Sequence, residues 1–215
     1  MATLTSTGAV NLTASTNWSP SQIPTTGDDL VVAGHTLTLN ADITLASLTL
    51  NNALSRVAYS GGPRTITITG GVLVSGILSA TAITLTTGQN LTFIVGTGFR
   101  FTAAQTVSLF TVATGTLNLY GNGSDPNSDL INATTAVTAR LFATTTATAN
   151  VNTKGRLSVG LGTHLLVILA GGTWVHEHAG VTVFATTTAT AKLISASGTN
   201  VTSVTWTGAV SPSCP

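Results

Sequence analysis

The sequence predicts an all-β protein, a β-solenoid (β-helix-like) before a β-sandwich or jelly roll, and three observations carry that expectation. Thr and aliphatic residues alternate through short segments, the pattern by which a strand sends one set of side chains inward and the other outward. Gly-, Asn- and Ser-rich turns separate nearly all of these segments, and no amphipathic, capped helix pattern occurs. The octapeptide Phe-Ala-Thr-Thr-Thr-Ala-Thr-Ala stands at 142–149 and again at 184–191, and repetition at a fixed offset belongs to stacked architectures.

In chain order, the strand-like stretches are Leu30–Val32, Thr36–Leu39, Ser47–Leu50, Thr65–Thr69, Ala82–Thr87, Leu91–Val95, Val107–Val112, Thr116–Tyr120, Leu165–Leu169 and Val181–Phe184. All are rich in β-branched residues and bounded by turn residues. Thr-Leu-Thr-Leu at 36–39, Ser-Leu-Thr-Leu at 47–50, Thr-Ile-Thr-Ile at 65–68 and Ile-Thr-Leu-Thr at 83–86 read as stacked rungs. On that reading the 42-residue offset is two coils of about twenty residues each, within the range of repeat periods. Alternation alone does not separate parallel coils from antiparallel hairpins. The polar segment 122–129, with Asp125 and Asp129, is the clearest break. It divides the chain into an N-terminal β region (1–121), a polar loop (122–129) and a C-terminal β region (130–215) that carries the repeat.

The two copies of the octapeptide contain a test of burial. One face holds Phe142, Thr144, Thr146, Thr148 and then Asn150, matched by Phe184, Thr186, Thr188, Thr190 and then Lys192. The other holds Ala143, Thr145, Ala147, Ala149 and Val151, matched by Ala185, Thr187, Ala189, Ala191 and Leu193. Where the copies first differ, the Thr face takes Asn or Lys and the Ala face takes Val or Leu. The Thr face is therefore predicted wet and the Ala face a narrow core, with Val151 and Leu193 buried and Asn150 and Lys192 exposed.

Composition excludes several functions. Of 215 residues, 43% are hydrophobic, enough for a core, but only 6% are charged, against about 25% in ordinary soluble domains. The net charge is +1 and the basic residues Arg56, Arg64, Arg100, Arg140, Lys154, Arg156 and Lys192 are scattered, so no nucleic-acid or anionic-membrane footprint exists. The apolar run from Leu165 to Ala170 is too short to span a bilayer. The opening Met-Ala-Thr-Leu-Thr-Ser-Thr has neither a basic n-region nor an apolar h-region, which predicts synthesis in the cytoplasm without export. Cys214 is the one cysteine, so no internal disulfide forms. A nearly neutral surface with mean hydropathy +0.44 suits a subunit of an assembly better than a free monomer.

Candidate chemistry is sparse. Asp28 and Asp29 are adjacent, hence on opposite faces of a strand, and read as a turn and not as the acid and base of a glycosidase. Asp125, Asn127 and Asp129 have the i, i+2, i+4 oxygen spacing that begins an EF-hand loop, but Leu130 stands where Gly is needed and Ala136 where the bidentate Glu belongs. His176 and His178 flank Glu177, and His at i and i+2 on a strand share one side. In a threefold assembly that pair would offer six imidazoles to one octahedral ion. These five, Asp125, Asn127, Asp129, His176 and His178, are the candidate metal ligands; no cofactor, nucleophile elbow or phosphate loop is predicted. His35 and His164 read as structural.

At the start of the chain, Trp18, Pro20, Pro24 and Gly27-Asp28-Asp29 precede Gly34-His35-Thr36-Leu37-Thr38-Leu39. A Trp can plug the open end of a coil while the prolines straighten the entry, so this is predicted to be a capping device in which Trp18, Pro24 and Asp28 are structural. The same order resembles the N-terminal region of β-helical structural proteins of tailed bacteriophages and of related bacterial surface proteins, over residues 1–50. Gly171-Gly172-Thr173-Trp174 and Ser203-Val204-Thr205-Trp206-Thr207-Gly208 are similar to later rungs of those proteins. The resemblance implies a virion or surface structural role and brings no catalytic residue. The expectation is a non-enzymatic virion protein, a capsid decoration, fibre, spike or tail component. It would assemble as a homotrimer on capsid or tail proteins, and host surface glycans are a further possible ligand. A bacterial surface adhesin or appendage segment is the first alternative, a β-helical polysaccharide depolymerase the second.

Overall fold

Short alternating segments become strands wherever a Gly or polar pair lets the chain turn, and here the turns recur often enough that few strands exceed six residues. The computed structural model describes residues 1–60, 62–86, 89–121, 129–133, 137–146, 148–159, 164–169, 173–177, 190–195 and 203–207. The chain opens with β1 (Thr3–Ser6), β2 (Val10–Asn11) and β3 (Trp18–Ser19), followed by β4 (Asp29–Val32), β5 (Thr36–Leu39) and β6 (Ile43–Leu45). Next come β7 (Ser47–Leu50), β8 (Arg56–Tyr59), β9 (Arg64–Ile68), β10 (Val72–Val74), β11 (Ile83–Leu85) and β12 (Asn90–Val95). Then follow β13 (Phe99–Phe101), β14 (Phe110–Val112), β15 (Gly115–Gly121), β16 (Asp129–Ala133), β17 (Thr138–Thr144) and β18 (Ala149–Lys154). The last are β19 (Arg156–Val159), β20 (His164–Leu169), β21 (Thr173–Glu177), β22 (Thr190–Ser195) and β23 (Ser203–Thr207).

These strands form three sheets that the chain visits in rotation. The first has the order β3-β1-β4-β7-β10-β13-β16-β19, the second β2-β5-β8-β11-β14-β17-β20-β22 and the third β6-β9-β12-β15-β18-β21-β23. From β4 to β21 each strand thus pairs with the strand three places later or earlier, and the pairing is parallel. Among the described residues the antiparallel exception is β1 with β3. Strands on both sides of the polar loop pair directly, β13 with β16 and β15 with β18.

Alternation decides what faces inward. Leu4, Leu30, Leu48, Val72, Phe99 and Ile131 are register neighbours across the first sheet and all are buried. Val10, Leu37, Val57, Ile83, Phe110 and Phe142 continue in the same way across the second. The third contributes Leu91, Leu117 and Val151 in one row and Ile66, Phe93 and Leu119 in the next. The rows from all three sheets belong to one core. At mid-height Phe93, Phe99 and Phe110, one from each sheet, meet with centroids 5.5–6.3 Å apart. Such tilted and edge-on contacts add about 0.5–1.5 kcal/mol per pair beyond area burial. Corner glycines are needed where backbones crowd: Gly115 has φ +95°, and a Cβ there would lie 2.0 Å from the Gln89 carbonyl oxygen.

Two sequence expectations are corrected. Parallel register partners lie from 18 residues apart, at Leu30 and Leu48, to 34 apart, at Leu117 and Val151, so no coil of about twenty residues repeats. Corner loops grow and shrink while the strand levels stay in register. The 42-residue offset is correspondingly not a structural period. The first octapeptide copy ends β17 in the second sheet, turns a corner and reaches the third sheet at Ala149. The second copy ends with Thr190 and Ala191 opening β22 in the second sheet, opposite His164 and Leu165.

The wet and dry faces also invert within the first copy. Phe142 and Thr144, assigned to the wet face, are fully buried, while Ala143 is half-buried on the outside. The cause is a β-bulge: Arg140 pairs with Leu166 and Ala143 with Ile168, so Leu141 and Phe142 together oppose one residue, and both point inward. Beyond the corner the alternation is as expected, with Val151 buried and Asn150 exposed. Leu193 takes the register position of Val167 and Lys192 that of Leu166, and the side chains of both lie outside the described residues.

Candidate functional site

β3 lies antiparallel against the outer edge of β1, with Ser6 opposite Trp18 and Thr5 opposite Ser19, and the Thr7 N–H donates to the Asn17 carbonyl at 2.8 Å. Trp18 is 3% exposed and joins Leu4, Val10 and Leu12 in the core. Its indole Nε1 is buried without a hydrogen-bond partner among the described residues. Pro24 is buried in the following loop.

Asp28 anchors that loop. Its side chain is 1% exposed and accepts hydrogen bonds from the Thr25 N–H (2.9 Å), the Thr25 hydroxyl (2.9 Å) and the Ala2 N–H (2.7 Å). The Thr25 N–H above all holds the carboxyl below the usual carboxylate range, against the opposing pull of burial and helped by the Ala2 N–H and the Thr25 hydroxyl. Asp29 faces the other way, half-buried, and takes the Ser47 hydroxyl at 2.5 Å. The pair is split between interior and exterior, as adjacent strand residues are, and each carboxylate is committed to a structural bond. Asp42 accepts the Thr65 N–H at 2.9 Å.

Sequence reasoning missed a set of buried polar side chains where the chain leaves the first sheet for the second. Corner backbone groups cannot all join a ladder, and leaving one buried and unpaired costs about 1–3 kcal/mol. Ser6 Oγ accepts the Ala33 N–H at 2.9 Å and lies 3.1 Å from His35 Nδ1. Ser55 Oγ donates to the Val32 carbonyl at 2.5 Å and accepts the Gly34 N–H at 3.2 Å. Gln105 accepts the Leu78 N–H at 3.1 Å and donates to the Gly76 and Ala103 carbonyls, both at 2.9 Å. All three are nearly inaccessible. A Ser beside a His is thus a corner pin, with an Oγ too buried to act as a nucleophile. The one sequence signal for these residues is a polar residue in a turn whose neighbours are apolar, which is too common to single them out.

Of the five candidate metal ligands, the structure describes the backbone positions of two, Asp129 and His176. Asp125, Asn127 and His178 lie outside the described residues, and Asp129 opens β16 in the first sheet. His176 sits in β21 of the third sheet, opposite Thr153 and Trp206. Its side chain lies outside the described residues. Among the described residues no group of three or more His, Cys, Asp or Glu could hold an ion. Close by, Trp174 donates Nε1–H to Thr153 Oγ at 2.8 Å and stacks edge-on against Phe142 at 5.3 Å. Tryptophan at 174 is thus a core residue with a satisfied polar tip.

The outer faces carry hydroxyls and amides in rows. On the third sheet the Asn152 amide donates to Asn118 Oδ1 at 2.8 Å, and the Asn118 amide to Thr92 Oγ at 3.0 Å. This tie between adjacent strands requires no charge. Leu54 and Ile77 protrude at corners of successive circuits, 61% and 56% exposed, but two side chains fall short of an interaction patch. No helix among the described residues is long and apolar enough to cross a membrane. No protein-family model, curated protein or solved structure matches the chain.

Proposed function

We propose that the chain is a β-solenoid whose function is mechanical: a non-enzymatic structural component of a tailed-phage particle, as a capsid decoration, fibre or tail element. In this role it assembles as a homo-oligomer, a trimer in the simplest case, on capsid or tail proteins. The observation that carries the reading is the rotation of the chain through three largely parallel sheets around one core, with the strands from β4 to β21 each paired to a strand three places away. Such an arrangement gives a stiff prism whose outer faces are free for lateral contact. The capped entry of Trp18, Pro24 and Asp28, which carries the resemblance to phage β-helical proteins, supports the virion setting. Carboxylates committed to backbone and hydroxyl groups count against the depolymerase alternative.

Sedimentation of the purified chain, followed by immunogold imaging on phage particles, tests the proposal. A discrete oligomer and label at a fixed site on capsid or tail are expected. A stable free monomer with no affinity for particles would overturn it.

A further inference from the structure

We propose that the outer face of the third sheet binds an extended, uncharged polysaccharide laid along the stack, across the strands. Thr65, Thr92, Asn118 and Asn152, one from each of β9, β12, β15 and β18, occupy one outward register row, and all four are half-buried. Two positions further along the strands, Ile94, Tyr120 and Lys154 form the next row. Adjacent strands lie about 4.8 Å apart, close to the length of one pyranose residue in an extended chain. A glycan running across the strands therefore meets one side chain of each row per sugar.

The two rows match the two kinds of surface on a sugar. Its rim carries hydroxyls, which call for planar groups that both donate and accept, and its ring faces carry C–H groups, which call for an apolar platform. The Asn152 amide donates to Asn118 Oδ1 at 2.8 Å and the Asn118 amide to Thr92 Oγ at 3.0 Å, which sets both amides in place before a ligand arrives. Side chains fixed in advance lose little freedom on binding. Each amide keeps a second N–H, and among the described residues Asn152 Oδ1 accepts no bond, so both functions remain for a ligand. Tyr120, with Ile94 beside it, supplies the platform; among the described residues it is the one aromatic side chain on an outward row. Lys154 is the one charge in the two rows, which favours an uncharged ligand. The other sheets lack this combination. The first carries Val31, Leu73 and the cation Arg100 in its outward row, and the second carries Thr38, Ala58 and Thr111 with no ring. Recognition of this kind does not require a virion, so its failure leaves the structural role standing.

Affinity electrophoresis of the purified chain tests the site. The gels contain galactomannan or hydroxyethyl cellulose, whose backbones are extended, uncharged β-1,4-linked pyranoses, or polygalacturonate as the acidic counterpart. Retardation by at least one of the two neutral polymers is expected. Tyr120→Ala should lose it and Tyr120→Phe should keep it. Asn118→Ala should weaken it about two- to tenfold, the equivalent of one neutral hydrogen bond, while Thr49→Ala, on the outer face of the first sheet, should behave as the parent does. Outward positions tolerate such substitutions, and an unchanged melting curve verifies each fold. No retardation of the parent by either neutral polymer overturns the proposal, as does retardation by polygalacturonate alone, and neither result depends on a variant that folds. Equal retardation of the parent and a folded Tyr120→Ala overturns the site. A folded Tyr120→Ala that sediments as a smaller oligomer than the parent overturns it too, since a second copy then covers this face.

Discussion

Asp28 illustrates how much a single residue can do in a chain with so few charges. Three donors converge on its buried carboxylate and tie the loop of residues 25–28 to the start of β1. Replacing it with Ala leaves two backbone N–H groups and a hydroxyl without their acceptor, at a cost of about 1–3 kcal/mol. The folded carboxyl titrates below its ordinary value of 3.8, so its contribution to stability is complete above that pH and is lost as pH falls through the lowered value. The thermal midpoint of the parent should therefore drop in acid, and Asp28→Asn should flatten that drop, as melting curves across acid pH will report. The turn role of Asp28 was legible in Gly27-Asp28-Asp29; its burial was not, because the donors come from Ala2 as well as from the local turn.

At the scale of the element, β17 separates what alternation predicts from what pairing decides. An unbulged strand has one core position of every two, so of Leu141 and Phe142 only one would be costly to truncate. The bulge sends both inward. Leu141→Ala and Phe142→Ala should each cost about 2–5 kcal/mol, measured by chemical denaturation. A change within about 0.5 kcal/mol at either site, the range of surface substitutions, would show that the strand is unbulged. The octapeptide misled for the same reason. Its alternation is real, but a bulge shifts the phase by one residue and a corner moves the chain to another sheet, so two identical octapeptides need not occupy equivalent places. Val151 was read correctly because it lies past both, on an uninterrupted strand.

The whole molecule is held mainly by apolar rows, aromatic contacts and neutral hydrogen bonds, with Thr92, Asn118 and Asn152 linked across strands and few carboxylate anchors such as Asp28. Charged residues are only 6% of the chain, so screening has little to act on. Between roughly 0.1 and 1 M sodium chloride, where the Debye length falls from about 10 to 3 Å, the melting midpoint should shift by less than the ~2–4 °C that 1 kcal/mol produces in a chain of this size. A larger fall with salt would reveal ion pairs that stabilise the fold. Weak colloidal repulsion follows from the same composition.

The sequence by itself determined that the chain is all-β, that Val151 faces inward and Asn150 outward, and that the surface is neutral and rich in hydroxyls. Period-2 alternation and turn residues are local, and a local pattern suffices for those conclusions. Only the tertiary structure decided that strands three apart pair in parallel, that Leu141 and Phe142 share the interior, and that Ser6, Ser55 and Gln105 pin the corners. Parallel and antiparallel ladders have the same side-chain alternation, and a corner group finds its partner on a neighbouring circuit twenty or more residues away. Those choices are made by packing and by the need to satisfy every buried backbone group, which no short window of sequence contains.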